Sequence, residues 1–381
     1  MLAAIFYFFI AIIFYVYVGY PLLITLIAAI KPHRVKKNDD HEPSVTLIIS
    51  AYNEAAVIQQ KLENCLALDY PKEKLEIMVI SDASTDETDA IVQRFASQGV
   101  ILLRLPERKG KTAGQNLAVS HAHGEIIVFS DANAFYRSDA IRKIVRNFFD
   151  PSVGCVCGEL VYVTDSKNPI GEAENVYWDY EKFLKRQESR AASILGANGS
   201  IYAVRKQLYV PLADDIISDL IEPLTIIEQG YRVVYEPAAL CFERTMSSFQ
   251  EEYQRKKRII NRSFYSLLQH RSFLNPIKYP MLSFQLFSHK ILRWLVAFYL
   301  PILFVINLFL LHIRLFQITF VLQCLFYAAA LFGYGMERKR YHNFLFYAPF
   351  YYCLVNLASF QAIVSFLIKR KTVVTWNPIR G

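Results

Sequence analysis

Ser44–Ser50 (SVTLIIS), followed by Ala51–Glu54 (AYNE), is the stretch whose reading decides the fold class. A short β-branched and aliphatic run that ends in a polar, aromatic-bearing turn reads as a buried strand. Outward from it, Glu54–Leu68 has helical spacing, Leu75–Ser81 is a second strand, and Asp86–Ser97 is a helix with an acidic first turn. Val100–Leu105, Thr112–His123, Glu125–Ser130 and Ser138–Phe149 continue as strand, helix, strand and helix. This β-α-β-α order implies an α/β domain with a largely parallel, Rossmann-like sheet and helices on both faces.

Such sheets bind ligands outside the carboxyl ends of their strands. The first strand ends in Tyr52, Asn53 and Glu54, and the second in Asp82, Ala83, Ser84, Thr85 and Asp86. The third runs into Arg108, Lys109, Gly110 and Lys111, and the fourth ends in Asp131, Ala132 and Asn133. An aromatic face, carboxylates and a basic glycine-containing loop are what a nucleoside diphosphate requires: a plane for the base, acceptors for its N–H groups, cations for the phosphates. Asp86 also reads as the cap of the helix that follows, whereas Asp82 lies in the strand-end crevice. Gly110-Lys111-Thr112 resembles the end of a phosphate loop, but the first glycine of that motif would fall on Leu105, which disfavours a P-loop NTPase.

The rest of the chain is partitioned by charge. Residues 1–30, 294–311, 315–334 and 344–368 contain no Asp, Glu, Lys or Arg. A bilayer core of about 30 Å needs about 20 apolar residues in a helix, so all four read as membrane spans. Residues 1–30 lack a charged leading region and are too long for the apolar core of a signal peptide, so they read as a retained anchor. Lys31, His33, Arg34, Lys36 and Lys37 follow the first span, and Lys290 and Arg293 precede the second. Basic residues mark the cytosolic side, which puts the large domain in the cytosol of a plasma-membrane protein. The three basic residues in the loop Glu337–Arg340 agree if residues 294–334 cross twice. Lys369, Arg370 and Lys371 conflict with a simple crossing at 344–368. The formal net charge of +8 fits membrane lipids against the basic flanks. Nucleic acid is not expected as a partner, because no basic run is interleaved with aromatics. None of the six cysteines forms a C-x-x-C pair, and Cys155 and Cys157 alternate along a strand; buried free thiols are expected.

From Ser44 to about Arg262 the residues resemble the family 2 glycosyltransferases, and most resemble the membrane-bound branch containing cellulose, hyaluronan and poly-N-acetylglucosamine synthases. The resemblance implies a GT-A domain over 44–245, after an anchor (1–30) and a basic linker (31–43). Basic and amphipathic interface helices (246–290), transmembrane helices (291–368) and a tail (369–381) follow. It implies that Tyr52, Asn53, Glu54 and Asp82 hold the nucleoside, and that Asp131-Ala132-Asn133 binds Mg2+ or Mn2+ on the donor diphosphate. It further implies that Asp219 is the general base and that Gly196–Gly199 borders the acceptor; Gly230–Val233 matches as well. Two departures stand out. Asn133 replaces the usual second metal carboxylate, and Gln254–Ile259 (QRKKRI) replaces the Gln-x-x-Arg-Trp motif associated with processive synthesis.

An inverting transfer needs a carboxylate to take the acceptor's proton. Asp219 is the choice, with Asp214 and Asp215 as neighbouring alternatives and with helix N-capping as its other role. Arg255, Arg258 and Arg262 share one helical face. They read as diphosphate contacts, Arg258 first, alongside Lys111, or else as a solvated face paired with Glu251 and Glu252, or as lipid-phosphate contacts. Glu174, Tyr177, Trp178, Tyr180 and Glu181 cluster on a helix and read either as an acceptor platform, through Tyr177, Trp178 and Gly199, or as packing. Residues 275–290 read as an interfacial helix. The expected activity is inverting transfer from a nucleotide-sugar, a UDP-sugar first, to a glycan or lipid-linked acceptor in exopolysaccharide or cell-envelope glycan synthesis, with export open to a partner subunit. The alternatives are a single transfer to a polyprenyl phosphate and a non-catalytic membrane scaffold.

Overall fold

The computed structural model describes residues 1–163, 170–244, 248–337 and 344–369; the side chains of residues 170–176, 337 and 344 fall outside it. The basic loop 338–340, Arg370, Lys371 and the side chain of Glu174 therefore lie outside the described residues.

The chain starts with an apolar helical run, α1 (Leu2–Phe14) and α2 (Tyr20–Ile30), joined by a π-helical turn. The α/β domain follows as β1 (Val45–Ala51), α3 (Ala55–Leu66), β2 (Leu75–Ser81), α4 (Thr88–Gln93), β3 (Val100–Arg104), α5 (Lys111–His121) and β4 (Ile126–Asp131). Next come β5 (Phe135–Tyr136), α6 (Ala140–Val145), β6 (Val153–Val163), α7 (Ile170–Ala191), β7 (Tyr202–Arg205), α8 (Ser218–Glu228) and β8 (Arg232–Arg244). The last helices are α9 (Phe249–Gln269), α10 (Pro280–Gln285), α11 (Leu292–Phe309), α12 (Arg314–Glu337) and α13 (Phe344–Lys369).

Every residue of β1 is buried because both faces of the sheet are covered. Leu47 and Ile49 point toward Ile58 and Leu62 of α3, and Ile48 toward Ala118 and Val119 of α5. The sheet order is β3-β2-β1-β4-β7-β6-β8-β5. The expectation of a largely parallel sheet holds only for its first half. β3, β2, β1 and β4 are parallel, whereas β7 runs antiparallel to both β4 and β6, β8 is parallel to β6, and β5 is antiparallel to β8. The two-residue β5 is reversed ahead of α7, and the longer reversed strand, β7, follows it. Each of the first four strands is returned by a single crossover, which enforces parallel pairing. By contrast, the chain re-enters the sheet from the 22-residue α7 through Gly196–Ile201, from the opposite end.

Four helical runs are long and apolar enough to cross a membrane: Leu2–Ile30, Pro280–Phe309, Arg314–Met336 and Leu345–Lys369. The protein is thus a multi-pass membrane protein with its α/β domain outside the spans. The separate interfacial helix expected over 275–290 is instead largely continuous with the second span. α10 passes through a π-helical stretch, Leu286–Ile291, directly into α11. Side-chain packing ties the domain to the spans. Tyr20, Ile24 and Ala28 meet Leu184 and Ala191 of α7, and Phe249 of α9 meets Tyr347, Tyr351 and Leu354 of α13. Cys65, Cys155, Cys157 and Cys241 are buried free thiols, whereas Cys324 is exposed on the surface of α12.

Candidate active site

Two short loops beyond β1 and β2 are locked to each other. Asn53 (φ 52°) and Ala83 (φ 55°) both occupy the left-handed region that non-glycine residues avoid. The turns are over-determined by hydrogen bonds: Asn53 N donates to Ser84 Oγ at 3.1 Å, Thr85 N donates to Asn53 Oδ1 at 2.8 Å, and Glu54 N donates to Thr88 Oγ1 at 2.8 Å. Asp82 is buried and organises the basic loop. Its Oδ1 accepts from Lys109 N at 2.8 Å and Gly110 N at 3.0 Å, and the Arg108 guanidinium lies 4.0 Å from its Oδ2. Gly110 has φ 93°, in a turn whose Lys109 and Gly110 N–H groups both reach that carboxylate. The same Arg108 stacks 3.7 Å from the centroid of the Tyr52 ring.

A cavity of about 1200 Å³ opens beside these loops and runs to the membrane helices. Glu54, Lys111, Asp131, Asn133, Tyr177, Trp178, Gly199, Asp219 and Arg258 all contribute to its walls. Tyr52, Asn53 and Asp82 stand outside that lining; Asp82 borders a small adjoining recess with Ser50, Gly110 and Lys111.

At the centre, Lys111 bridges two elements. Its ammonium is hydrogen-bonded to Asp131 Oδ1 and donates to Gly199 O at 3.2 Å. Gly199 is confined from two sides: a Cβ placed on it would lie 2.9 Å from Asp219 Oδ2 and 3.0 Å from Lys111 Nζ. The carboxylates of Asp131 and Asp219 thus flank one ammonium, although the residues are 88 positions apart in sequence. Asp219 lies in the first turn of α8 and is not the N-cap, which is Ile217. A helix N-terminus favours an ionised acid, yet burial pushes the Asp219 carboxyl above the usual aspartate range, with Asp131 adding to the rise and Lys111, Arg262 and Lys185 opposing it. Asp214 is exposed, and Asp215 is engaged by the Tyr265 hydroxyl.

Along α9, Arg255 donates to Glu252 at 2.7 Å and to the Tyr162 hydroxyl at 2.6 Å, and Arg262 donates to Ile216 O at 3.0 Å just before α8. Arg258 lies between them and makes no hydrogen bond or ion pair among the described residues. Burial and its two arginine neighbours push its guanidinium down, and Asp131 opposes this. Tyr177 and Trp178 form a wall beneath Lys256, whose ammonium is 4.2 Å and 5.2 Å from their ring centroids. Tyr180 and Glu181 turn away to the spans, Tyr180 donating to Val16 O at 3.4 Å and Glu181 pairing with Arg293.

Sequence reasoning missed Glu243, at the end of β8. Ser200 Oγ joins the two acids, donating to Glu243 Oε1 at 3.1 Å and lying 3.4 Å from Asp131 Oδ2. Burial, then the Asp131 charge, push the Glu243 carboxyl up to about 7. Its signal was an acid closing an apolar strand run, Ala238–Glu243 (AALCFE). Whether the residues suit a divalent ion can be judged from Asp131. This carboxylate is partly exposed to the cavity and already seats a cation, the Lys111 ammonium. No group of three His, Cys, Asp or Glu side chains able to hold a metal occurs among the described residues. A divalent ion beside Asp131 would have to take most of its ligands from a bound diphosphate.

Residues 46–210 match the family described as Glycosyl transferase family 2, and the chain carries a family 2 glycosyltransferase domain. A poly-beta-1,6-N-acetyl-D-glucosamine synthase of Staphylococcus aureus is 28% identical over 212 residues, 54% of this chain and 51% of that protein. The match thus spans about half the length of that relative. A probable glycosyltransferase of Bacillus subtilis, YdaM, is 25% identical over 291 residues, 72% of this chain and 69% of that one. Among solved structures, the mannosyltransferase PcManGT from Pyrobaculum calidifontis, in complex with GDP-Man and Mn2+, is similar over 97% of this chain and 100% of its own, with TM-score 0.71 and 26% identity.

Proposed function

We propose that this protein is an inverting, nucleotide-sugar-dependent glycosyltransferase that works on the cytosolic side of the plasma membrane and extends a membrane-associated glycan of the cell envelope. The observation that carries this is the convergence of Asp131, Lys111, Gly199 and Asp219 on one wall of a cavity that continues into the spans. The loops of Tyr52, Asn53, Glu54 and Asp82 receive the nucleoside. Lys111 and Arg258 face the diphosphate. Asp131, with Asn133 beside it, would hold Mg2+ or Mn2+, which supplies charge neutralisation to the departing diphosphate.

Asp219 takes the proton of an acceptor hydroxyl, and its raised affinity for protons suits a base that must hold one. The hydroxyl oxygen bonds to the donor's anomeric carbon as the bond from that carbon to the diphosphate breaks. The electron pair leaves with the nucleotide, and attack from the opposite face inverts the centre. Tyr177 and Trp178 offer flat faces to the acceptor sugar.

The donor in this reading is a UDP-sugar. A GDP-sugar is the second reading, favoured by similarity along the whole chain to a mannosyltransferase solved with GDP-mannose. Purified protein incubated with a panel of radiolabelled UDP- and GDP-sugars in native lipid extract tests both. Consumption of one donor with label entering the lipid or glycan fraction is the expected result. Consumption of none would remove the enzyme reading in favour of a membrane scaffold.

A further inference from the structure

We infer that the membrane end of the cavity is a phosphate subsite, and that the acceptor is a sugar carried on a lipid diphosphate, its hydroxyl at Asp219 and its diphosphate at Lys290 and Lys185. This rests on the transfer reading above and names its acceptor class.

The first ground is charge. Eleven Lys and Arg line the cavity against six Asp and Glu, a surplus of five positive charges. Glu252, just behind the wall and paired with Arg255 and Lys256, offsets one of them. A nucleotide-sugar brings roughly two negative charges, and a divalent ion on its phosphates cancels them. The donor therefore leaves a surplus in place, and a cleft lined by an excess of one sign of charge concentrates a counter-ion of the other.

The second ground is position. Arg293 is matched by Glu181, and Glu188 is engaged by His289 and Tyr20. Lys290, on the same turn and lining the cavity, lies within reach of the charges of Glu181 and Glu188 but makes no hydrogen bond or ion pair with either among the described residues. Among the described residues Lys185 donates to neutral or sulfur partners, Asn198 Oδ1 and, at 3.9 Å, Cys157 Sγ. It is near enough to act on the charge of Asp219 on one side and of Lys290 on the other. A phosphate beside these two ammonium groups would make charge-assisted hydrogen bonds.

The third ground is the exit. Beyond Lys290 the cavity is walled by Tyr17, Tyr352, Val355 and Ser359, all from membrane-spanning helices. A chain esterified to the phosphate runs directly into the bilayer there.

Asp219 decides between two lipid acceptors. A lipid monophosphate attacks through its own phosphate oxygen and has no proton to surrender, so it leaves a buried base without a task. A sugar hydroxyl needs one. The new glycosidic bond then forms at that hydroxyl, and the lipid–diphosphate–sugar linkage stays intact.

The test is a binding series on the full chain in phosphatidylcholine nanodiscs without donor. The probes are a tritiated polyprenyl-diphosphate-linked hexose, the neutral prenyl glycoside of the same sugar and tail, and hexose 1-phosphate. The diphosphate lipid should bind about tenfold tighter than the neutral glycoside, the size of one charge-assisted contact pair. Hexose 1-phosphate should compete only at far higher concentration, and discs containing phosphatidylglycerol should leave binding intact. Lys290→Gln and Lys185→Gln should each erase most of the preference, and Lys290→Arg should keep it. Equal binding of the neutral glycoside would overturn the inference. So would equal binding of hexose 1-phosphate, which would mean a soluble acceptor, or displacement by phosphatidylglycerol, which would mean a headgroup site. The probe series is run on the unaltered protein, so a variant that fails to fold does not shield the claim. Preferential binding without donor consumption would sink the transfer reading and leave the subsite standing; donor consumption with equal binding would do the reverse.

Discussion

At the proposed donor end of the cavity, the functional groups hang on short loops fixed mainly by backbone N–H groups donating to side chains of neighbouring β-α units, such as Lys109 and Gly110 to the Asp82 carboxylate. At the membrane end, side chains about a hundred residues apart are brought together by buried polar contacts: a hydrogen bond between Glu188 and His289 at 2.7 Å, and an ion pair of Glu181 with Arg293. The donor end is preorganised by the sheet, and substituting a side chain there should damage chemistry more than folding. The membrane end owes its geometry to the docking of α7 against two membrane-spanning helical runs, and breaking a pair there should damage folding as well as acceptor use.

The largest difference should come from Asp131→Ala. It removes the carboxylate that seats a cation at the donor end, and transfer should fall by about 10²–10³, the usual cost of losing one charge-stabilising group. The response to Mg2+ or Mn2+ should vanish with it, and the thermal midpoint should barely move. A chelator titration alongside a melting curve checks both. The converse pattern is expected for Glu188→Gln, which leaves His289 and Tyr20 buried without their shared anion. Loss of one partner of a buried pair costs about 3 kcal/mol or more, so the variant should melt well below the parent in detergent while its nucleotide affinity stays within a few-fold. A variant that melts normally would place the α7 docking elsewhere.

Gly199→Ala should give a smaller effect of mainly catalytic kind. Its Cβ would crowd Asp219 Oδ2 and Lys111 Nζ, and both are side-chain ends that can give way. A loss in kcat of about tenfold is expected from the displaced base, with a smaller rise in donor KM because Lys111 is crowded too. Steady-state kinetics separates the two constants.

The smallest effect concerns pH. In the proposed mechanism transfer requires ionised Asp219, and burial raises its proton affinity. Activity should therefore fall on the acid side at a pH above the ordinary aspartate value of 3.8. Lys111 pulls that affinity down, so in Lys111→Met the residual activity should show its acid limb displaced to higher pH. An unmoved limb would detach the ammonium from the base.

The same contrast explains what could be read from the residues alone. The parallel half of the sheet was legible because β1 to β4 are short, uninterrupted apolar runs separated by periodic helices, and Tyr52, Asn53, Asp82, Lys111 and Asp131 follow from their ends. The antiparallel half was not legible, because the order β7-β6-β8-β5 depends on where α7 returns the chain, which no local pattern encodes. Glu243 was hidden for that reason: only the pairing of β8 with β6 and β5 brings it to Ser200 and Asp131. Lys185, Lys290 and Arg293 were legible as charges but not as one cluster. The helical run through 280–309 was misjudged because Ser283, Gln285, Ser288, His289 and Lys290 dilute its apolar character. They face inward instead: Ser283 to Phe273 O, Gln285 to Ser193 O and His289 to Glu188.

The claim that joins the two ends is that Asp219 stands between a donor held by the strand-end loops and an acceptor held at the membrane. Asp219→Asn measured for both properties in proteoliposomes tests it most directly, with nucleotide affinity followed by titration and sugar transfer by partition of label into the lipid phase. Unchanged nucleotide affinity with transfer reduced by about 10²–10⁴ is predicted, the contribution of a positioned general base. Transfer within about tenfold of the parent, below what such a base contributes, would contradict it.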